Sequence, residues 1–384
     1  MKKPIEPIAQ FMFREKEIAR LLRVWARGQS VLIVGIRRTG KTQLMKAALK
    51  RQASMGAVVY FDVQETNSLY DFYDTLLAAL PKPLIAQLQS ALQTLGSVPT
   101  GIVQWVGHRV GKVTVSVSEA KLSLDLNAPE NLPRYWPNLL TALVEVVQAK
   151  ASDELPVIGI DELPMMLENL QKAGVPMTDL HLLLSGLRKL REAGLRMVIG
   201  GSISTENLLT ALNIPHAVLG GLWREEVKPF TAAQARTYLE VQLQGTAALA
   251  TIDAVLTALP DYVPEFLRIA ATYLADLDDA TDTAWSLSHQ VMPSIHRMFL
   301  EQFNERLAQH FVGAQLDCAQ GLLDQIAQHP LGGGRIDSTA LPSDWRLVLN
   351  KLMFDNFVHA APDLGYAFTL NMLRQWWRAQ RGMP

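Results

Sequence analysis

Thiols are almost absent from this sequence: Cys318 is the single cysteine among 384 residues. No internal disulfide can form and no thiolate zinc cluster can be built. The helical texture around Cys318 marks it as a buried structural thiol. Net charge is equally scarce, with 36 Lys and Arg against 37 Asp and Glu for a formal charge of −1. That balance removes any global pull toward nucleic acid or anionic membrane and leaves only local patches to consider. Long apolar runs are missing too, since no stretch approaches the roughly 18 apolar residues of a membrane span. Met1-Lys2-Lys3-Pro4 is followed by Glu6, Arg14 and Glu15 rather than by the apolar core of a secretion signal. Repeats and low-complexity tracts are absent, and Leu331-Gly332-Gly333-Gly334 reads as a loop. The expectation is a soluble protein of a reducing, cytoplasmic compartment with no membrane association.

What is present suits a globular chain: 49% of residues are hydrophobic and 19% charged, too apolar and too neutral for disorder. Short apolar runs at Val31–Val34, Val58–Phe61, Pro156–Ile160 and Met197–Ile199 read as buried parallel strands. Helical spacing separates them, as in 15–27, Lys41–Lys50, Tyr70–Leu80 and Asp179–Ala193. Strands alternating with helices predict an α/β core, a parallel sheet covered on both faces, over residues 1–228. An insertion at about 81–135 opens with an amphipathic helix at Leu84–Leu95. It continues with alternating Val113, Val115, Val117 and Leu122, Leu124, Leu126, the pattern of a β-hairpin with one buried face. Residues 229–310 read as wholly helical. Residues 311–384 run helix, helix, strand pair and closing helix, the outline of a winged helix.

Gly35-Ile36-Arg37-Arg38-Thr39-Gly40-Lys41-Thr42 satisfies G-x-x-x-x-G-K-[ST] in full. Gly35 and Gly40 let the backbone turn tightly and approach phosphate with no Cβ in the way. The loop amides, running into a helix N-terminus, form an anion site. Lys41 is placed to reach the β- and γ-phosphates, and the Thr42 hydroxyl to ligate Mg2+. Chance produces roughly one such match per hundred chains of this size, and this one sits where it must, between a buried strand and a helix. ATP with Mg2+ is the expected ligand.

Hydrolysis needs a further carboxylate. Pro156–Ile160 delivers Asp161 and Glu162 at a strand's C-terminal end, where open α/β sheets bind ligands. Asp161 is the candidate magnesium ligand through water, and Glu162 the candidate general base on the attacking water. The fourth strand ends in Gly200-Gly201-Ser202, making Ser202 a candidate sensor of γ-phosphate or lytic water.

These residues resemble the STAND/archaeal-type P-loop ATPases, a signal-transducing branch close to AAA+. The resemblance rests on Phe13-Arg14-Glu15 with its following helix, Arg37-Arg38 ahead of Thr39-Gly40-Lys41-Thr42, Asp161-Glu162, Gly201-Ser202, and Val227-Lys228-Pro229-Phe230. It implies a helical lid, a C-terminal winged helix and nucleotide-controlled switching of a protein partner or effector. It also adds Arg14, Arg37, Arg38 and Thr39 to the nucleotide-binding set. Two places depart from the pattern. Leu259-Pro260-Asp261-Tyr262-Val263-Pro264 keeps only the last proline of a Gly-Gly-x-Pro lid motif, and Gly220-Gly221-Leu222-Trp223-Arg224 stands where Gly-Arg is usual. Arg224 is therefore a candidate arginine sensor. Arg188 and Arg191 are rival candidates for a finger acting across a homo-oligomer interface.

Two outputs fit this reading. One is an ATPase switch controlling a protein partner; the other is a DNA-associated ATPase of initiator or transposition-helper type, with the winged helix on duplex DNA. A non-hydrolysing nucleotide-binding scaffold is the third alternative. The aromatic and basic run Arg374–Arg381 is expected to be a closing helix packed through Leu373, Trp376 and Trp377 rather than a nucleic-acid patch.

Overall fold

The structure, a computed structural model, describes residues 13–78, 80–96, 98–108, 132–151, 154–201, 205–243, 249–275, 280–329, 333–339, 341–361 and 365–383. The hairpin expected at 113–126 and the candidate Ser202 lie outside the described residues. The chain divides into two compact units. One holds 14–34 and 41–226; the other holds Phe13, the loop 35–40 and the residues from Val227 onward.

In the first unit, helix α1 (Glu15–Ala26) buries Ile18, Leu21, Val24 and Trp25 on one face. Gly28, at φ +75°, ends it by donating its amide to the Trp25 carbonyl, the left-handed stop that glycine adopts without strain. Strands β1 (Ser30–Val34), β2 (Val58–Asp62), β3 (Val157–Asp161), β4 (Arg196–Ile199) and β5 (Leu222–Glu226) form one parallel sheet in the order β2-β3-β4-β1-β5. Every residue of β3 and β4 is buried, which explains the apolar runs Val157–Ile160 and Met197–Ile199 within them. The fifth strand was not legible as one. Its Leu-Trp-Arg-Glu-Glu sequence sits at a sheet edge, with only Glu225 buried. Arg20 of α1 grips both Glu225 carboxylate oxygens, at 2.6–3.2 Å, so the burial is paired.

Around the sheet lie α2 (Lys41–Gln52), α3 (Leu69–Ala78), α4 (Lys82–Leu95), α5 (Thr100–His108), α6 (Leu132–Gln148), α7 (Leu163–Lys172), α8 (Met177–Glu192) and α9 (Thr205–Ala211). The Trp136 ring of α6 stacks on Tyr73 of α3 at 3.8 Å and 10°. Gly186 of α8 keeps the approach open, since a Cβ there would lie 2.9 Å from a Leu140 methyl.

The described part of the second unit between Ala232 and His310 is helical, as its sequence predicts. It contains α10 (Ala232–Leu243), α11 (Leu249–Ala258) and α12 (Pro264–Leu274). A helical run follows as α13 (Ala280–Ser286), α14 (Met292–Ile295) and α15 (Glu301–His310), joined by π-helical stretches at Leu287–Val291 and His296–Leu300. Then come α16 (Ala314–Gln328), β6 (Gly333–Gly334), α17 (Trp345–Phe354), β7 (Val358–Ala361), β8 (Gly365–Phe368) and α18 (Asn371–Gln380). The strands pair antiparallel in the order β6-β8-β7. Gly333 and Gly334, expected as loop, thus add a short third strand to the expected pair.

Asp261, in the stretch that departs from the lid motif, caps α18 by accepting the Asn371 and Met372 amides at 2.8 and 2.7 Å. Trp376 and Trp377 are buried, while Arg374 donates to the Ala327 and His329 carbonyls and Arg381 pairs with Asp324. The aromatic and basic run is thus a packed closing helix, as expected. No helix of the described residues is long and apolar enough to cross a membrane.

Trp136→Ala removes a fully packed, stacked ring and should cost about 3–5 kcal/mol of stability. A lower denaturant midpoint at unchanged slope is the expected readout.

Candidate functional site

Strand β1 ends at Val34, and the loop 35–40 carries the chain to Lys41, the first residue of α2. The loop's backbone demands its glycines. Gly35 has φ +138°, and a Cβ on it would meet the Val227 carbonyl oxygen at 2.5 Å. Gly40 has φ +91° with open space around it, so conformation rather than crowding selects glycine there. Arg38 takes the left-handed region as well, at φ +69°, a conformation non-glycine residues adopt rarely and often at functional positions. The buried Thr39 hydroxyl donates to the Ile36 carbonyl at 2.8 Å, closing the turn on itself. Ile36 belongs to the apolar core of the second unit. The two loop arginines meet helices of that unit: Arg37 donates to Gln302 of α15 at 3.0 Å, and Arg38 lies 4.0 Å from Glu265 of α12. Glu265 is itself gripped by Arg268 through two hydrogen bonds of 2.8 and 2.9 Å.

In the first unit, Lys41 is buried at the start of α2 and Thr42 follows it. The Thr42 side chain acts on Asp161, the last residue of β3, favouring its ionised carboxylate. Asp161 is 1% exposed. Its Oδ1 accepts the Glu162 amide at 3.1 Å and its Oδ2 accepts the Tyr60 hydroxyl of β2 at 3.1 Å. Burial pushes the Asp161 carboxyl above its ordinary range, the Thr42 side chain opposes that, and the charges of Glu162 and Asp62 reinforce it. Burial likewise raises the Tyr60 phenol, with Asp161 and Asp62 adding to the effect, so Tyr60 stays a donor at any physiological pH.

Glu162 leaves the strand at φ +59° and stands at the N-cap position of α7 without a side-chain capping bond, with Pro164 in the first turn. A left-handed glutamate between a buried strand and a proline-led helix has its direction imposed by the backbone. The end of β4 packs directly on this pair: a Cβ on Gly200 would lie 3.1 Å from Asp161 Oδ1, and one on Gly201 2.6 Å from Pro164. The two glycines are what let that strand end come so close.

No protein-family model matches the chain, and no curated protein is similar to it in sequence. Among solved structures it is similar to the ORC2 protein of Aeropyrum pernix in complex with ADPNP and ADP, at TM-score 0.50 and 15% identity, covering 100% of this chain and 98% of that one. The ADP form of ORC2 gives the same TM-score and identity, over 100% of this chain and 97% of that one. Cdc6p of Pyrobaculum aerophilum matches at TM-score 0.39 and 11% identity, over 100% and 98% of the two chains. The likeness is one of fold. That fold is a five-stranded parallel sheet flanked by helices and followed by helical parts.

The remaining sequence candidates have definite places. Arg14 is buried at the start of α1 and pairs with Glu17 at 3.3 Å. Arg224 projects from β5 and forms an ion pair with Glu206 of α9. Arg188 donates to the Ala217 carbonyl at 2.9 Å, and Arg191 to those of Val218 and Gly220 at 2.8 and 3.2 Å. Burial lowers the Arg191 guanidinium to about 10. Sequence reasoning overlooked Tyr60. Its signal was the β2 alternation, which puts Tyr60 on the same face as the acidic Asp62 that closes the strand.

Because folding raises the Asp161 carboxyl, its contribution to stability is present below the ordinary carboxylate range of about 4 and is lost as pH rises through the folded value. Nucleotide-free Asp161→Asn should therefore be more stable than wild type at pH 7, by about 0.5–2 kcal/mol. The gap should close as pH falls toward about 4, as followed by denaturant unfolding across a pH series.

Proposed function

We propose that this chain binds ATP with magnesium and hydrolyses it as a nucleotide-driven switch. The observation that carries the proposal is Asp161, a buried carboxylate at the end of central strand β3, set against α2, which begins with Lys41 and Thr42 of the phosphate-loop motif. In this reading the loop amides and Lys41 hold the β- and γ-phosphates. Arg37, Arg38, Thr39 and Arg14 complete the nucleotide contacts. The hydroxyl and carboxylate of Thr42 and Asp161 are adjacent hard oxygens and suit magnesium, which keeps several waters and takes few protein ligands. Bound there with nucleotide, the ion would neutralise charge developing on the phosphate oxygens. Glu162 orients the attacking water and takes its proton, and Ser202 senses the γ-phosphate.

For the arginine acting in trans within a homo-oligomer, Arg224 is the best placed of the three candidates. It needs only to exchange Glu206, whereas Arg188 and Arg191 would have to abandon backbone carbonyls of the 217–220 turn. The finer placement in the STAND branch rests on the sequence features alone.

The switch reading is supported by the second unit. Gln302, Arg306 and His310 recur every four residues along one face of α15. Gln302 accepts from loop Arg37, while Arg306 and His310 hold buried Asp355 at the end of α17, at 3.4 and 2.7 Å. A change at Arg37 thus has a contiguous rigid route to the 311–384 segment, which we read as a winged helix. For the output of that switch, the full-length likeness to ORC2 supports a DNA-associated ATPase of initiator type. A protein partner is favoured by a different observation. The helix before the hairpin, α17, exposes Leu347 and Phe354 on one face, and Lys351 between them donates to Gln315 at 3.1 Å rather than standing as a cation given over to phosphate.

Lys41→Ala should weaken ATP binding by more than about tenfold, the loss of a charge-assisted contact. Glu162→Gln should retain ATP and lose turnover by roughly 100-fold or more. Duplex binding by the Glu162→Gln protein with ATP, falling steeply as salt rises, would favour the DNA output; salt-insensitive indifference to duplex would favour the protein partner. Tight ATP binding without turnover in the native protein would leave the scaffold reading.

A further inference from the structure

The Tyr60 hydroxyl lies on a carboxylate that the reading above assigns to magnesium, and its place in the sheet is not what simple packing would produce. In the β2–β3 register Tyr60 stands opposite Gly159, with Asp161 two residues further along the same face. Directly opposite residues make the ordinary cross-strand pair; a diagonal neighbour is about 7–8 Å away and is reached by aromatic or long side chains. Tyr60 makes that diagonal reach and donates to Asp161 Oδ2 at 3.1 Å. The residue it stands opposite is glycine. A Cβ on Gly159 would lie 3.4 Å from the Tyr60 ring and 2.6 Å from a Leu49 methyl of α2. Gly159 therefore lets α2 settle on the sheet, while a Cβ there would only touch the Tyr60 ring. From α2 the Lys46 ammonium sits 4.7 Å over the ring centroid, holding the ring by its face while Asp161 holds it by its hydroxyl.

We propose that Tyr60 is a positioning residue for Asp161, fixing the carboxylate so that it meets a magnesium ion arriving with nucleotide. A carboxylate has about four lone-pair sites. The Glu162 amide occupies one on Oδ1 and Tyr60 one on Oδ2, so the plane of the group is set from both sides. The Thr42 hydroxyl, which also acts on this carboxyl, is in that reading a magnesium co-ligand and would turn its lone pairs to the ion. Tyr60 is the donor with no such second task. Its loss would free the carboxylate to rotate, which a metal demanding near-ideal octahedral geometry tolerates poorly. This inference rests on the magnesium–ATP reading and specifies how its metal ligand is held.

The test is Tyr60→Phe, which keeps the ring, the Lys46 contact and the packing. A fluorescent ATP analogue is titrated by anisotropy, with magnesium and with EDTA, and thermal unfolding is followed in parallel. Tyr60→Phe should bind the analogue in EDTA within about twofold of wild type, while the affinity gained on adding magnesium falls about five- to tenfold. In an Asp161→Asn background the same substitution should change nothing further, because Tyr60 acts through that carboxylate. If Tyr60→Phe fails to fold, Lys46→Met, which loosens the ring and leaves the hydroxyl, should lower the magnesium gain in the same direction. A magnesium gain equal to wild type in a folded Tyr60→Phe protein overturns the proposal and leaves the nucleotide site standing. A wild type that gains nothing from magnesium overturns both.

Discussion

Asp161 is 1% exposed, and a carboxylate that deep at the end of an apolar strand is tolerable only because donors surround it. The rest of the first unit is arranged around that constraint. Tyr60 reaches across from β2, the Glu162 amide turns back on it, and Thr42 meets it from α2. Three glycines, 159, 200 and 201, thin the surrounding backbone so that α2, the end of β4 and Pro164 can close in. Directly after the buried acid the chain leaves the sheet, and Glu162 takes the left-handed conformation at the start of α7.

The phosphate loop is constrained in a different way. Its glycines satisfy backbone geometry, but its arginines answer to the second unit, Arg37 to Gln302 and Arg38 to the Glu265–Arg268 pair. Anionic phosphates at the loop would compete with those acceptors for the same guanidinium groups. If the loop's backbone takes up nucleotide as proposed, a loop whose arginines meanwhile meet Gln302 and Glu265 is a natural place for nucleotide to bias two conformations. The chain from Gln302 along α15 to Asp355 gives such a bias somewhere to go.

Much of this was legible in the residues. The four buried strands announced themselves as apolar runs, and Gly35–Thr42 and Asp161-Glu162 could be placed at strand ends from spacing alone. The helical texture after Pro229, and the packed nature of the Trp376-Trp377 helix, followed from periodicity. What escaped detection lacks a local signal. β5 is an edge strand of polar and charged residues, stabilised by Arg20 from far away in sequence, so no apolar run marks it. Tyr60 acts diagonally across a register that only the folded sheet defines. The Arg224–Glu206 and Arg37–Gln302 pairs likewise depend on tertiary placement, which periodicity does not encode. Asp261 is the instructive case: a residue that breaks a familiar lid pattern is reused as the cap of a helix 110 positions later.

The central claim is that the loop amides from Ile36 to Thr42 take up the phosphates of ATP. Amide hydrogen exchange of the native protein with and without saturating magnesium and a non-hydrolysable ATP analogue tests it most directly. Strong protection of that loop and the first turn of α2 is expected, with loss of the protection in Lys41→Ala. Exchange in 36–42 that is unchanged by nucleotide would contradict it.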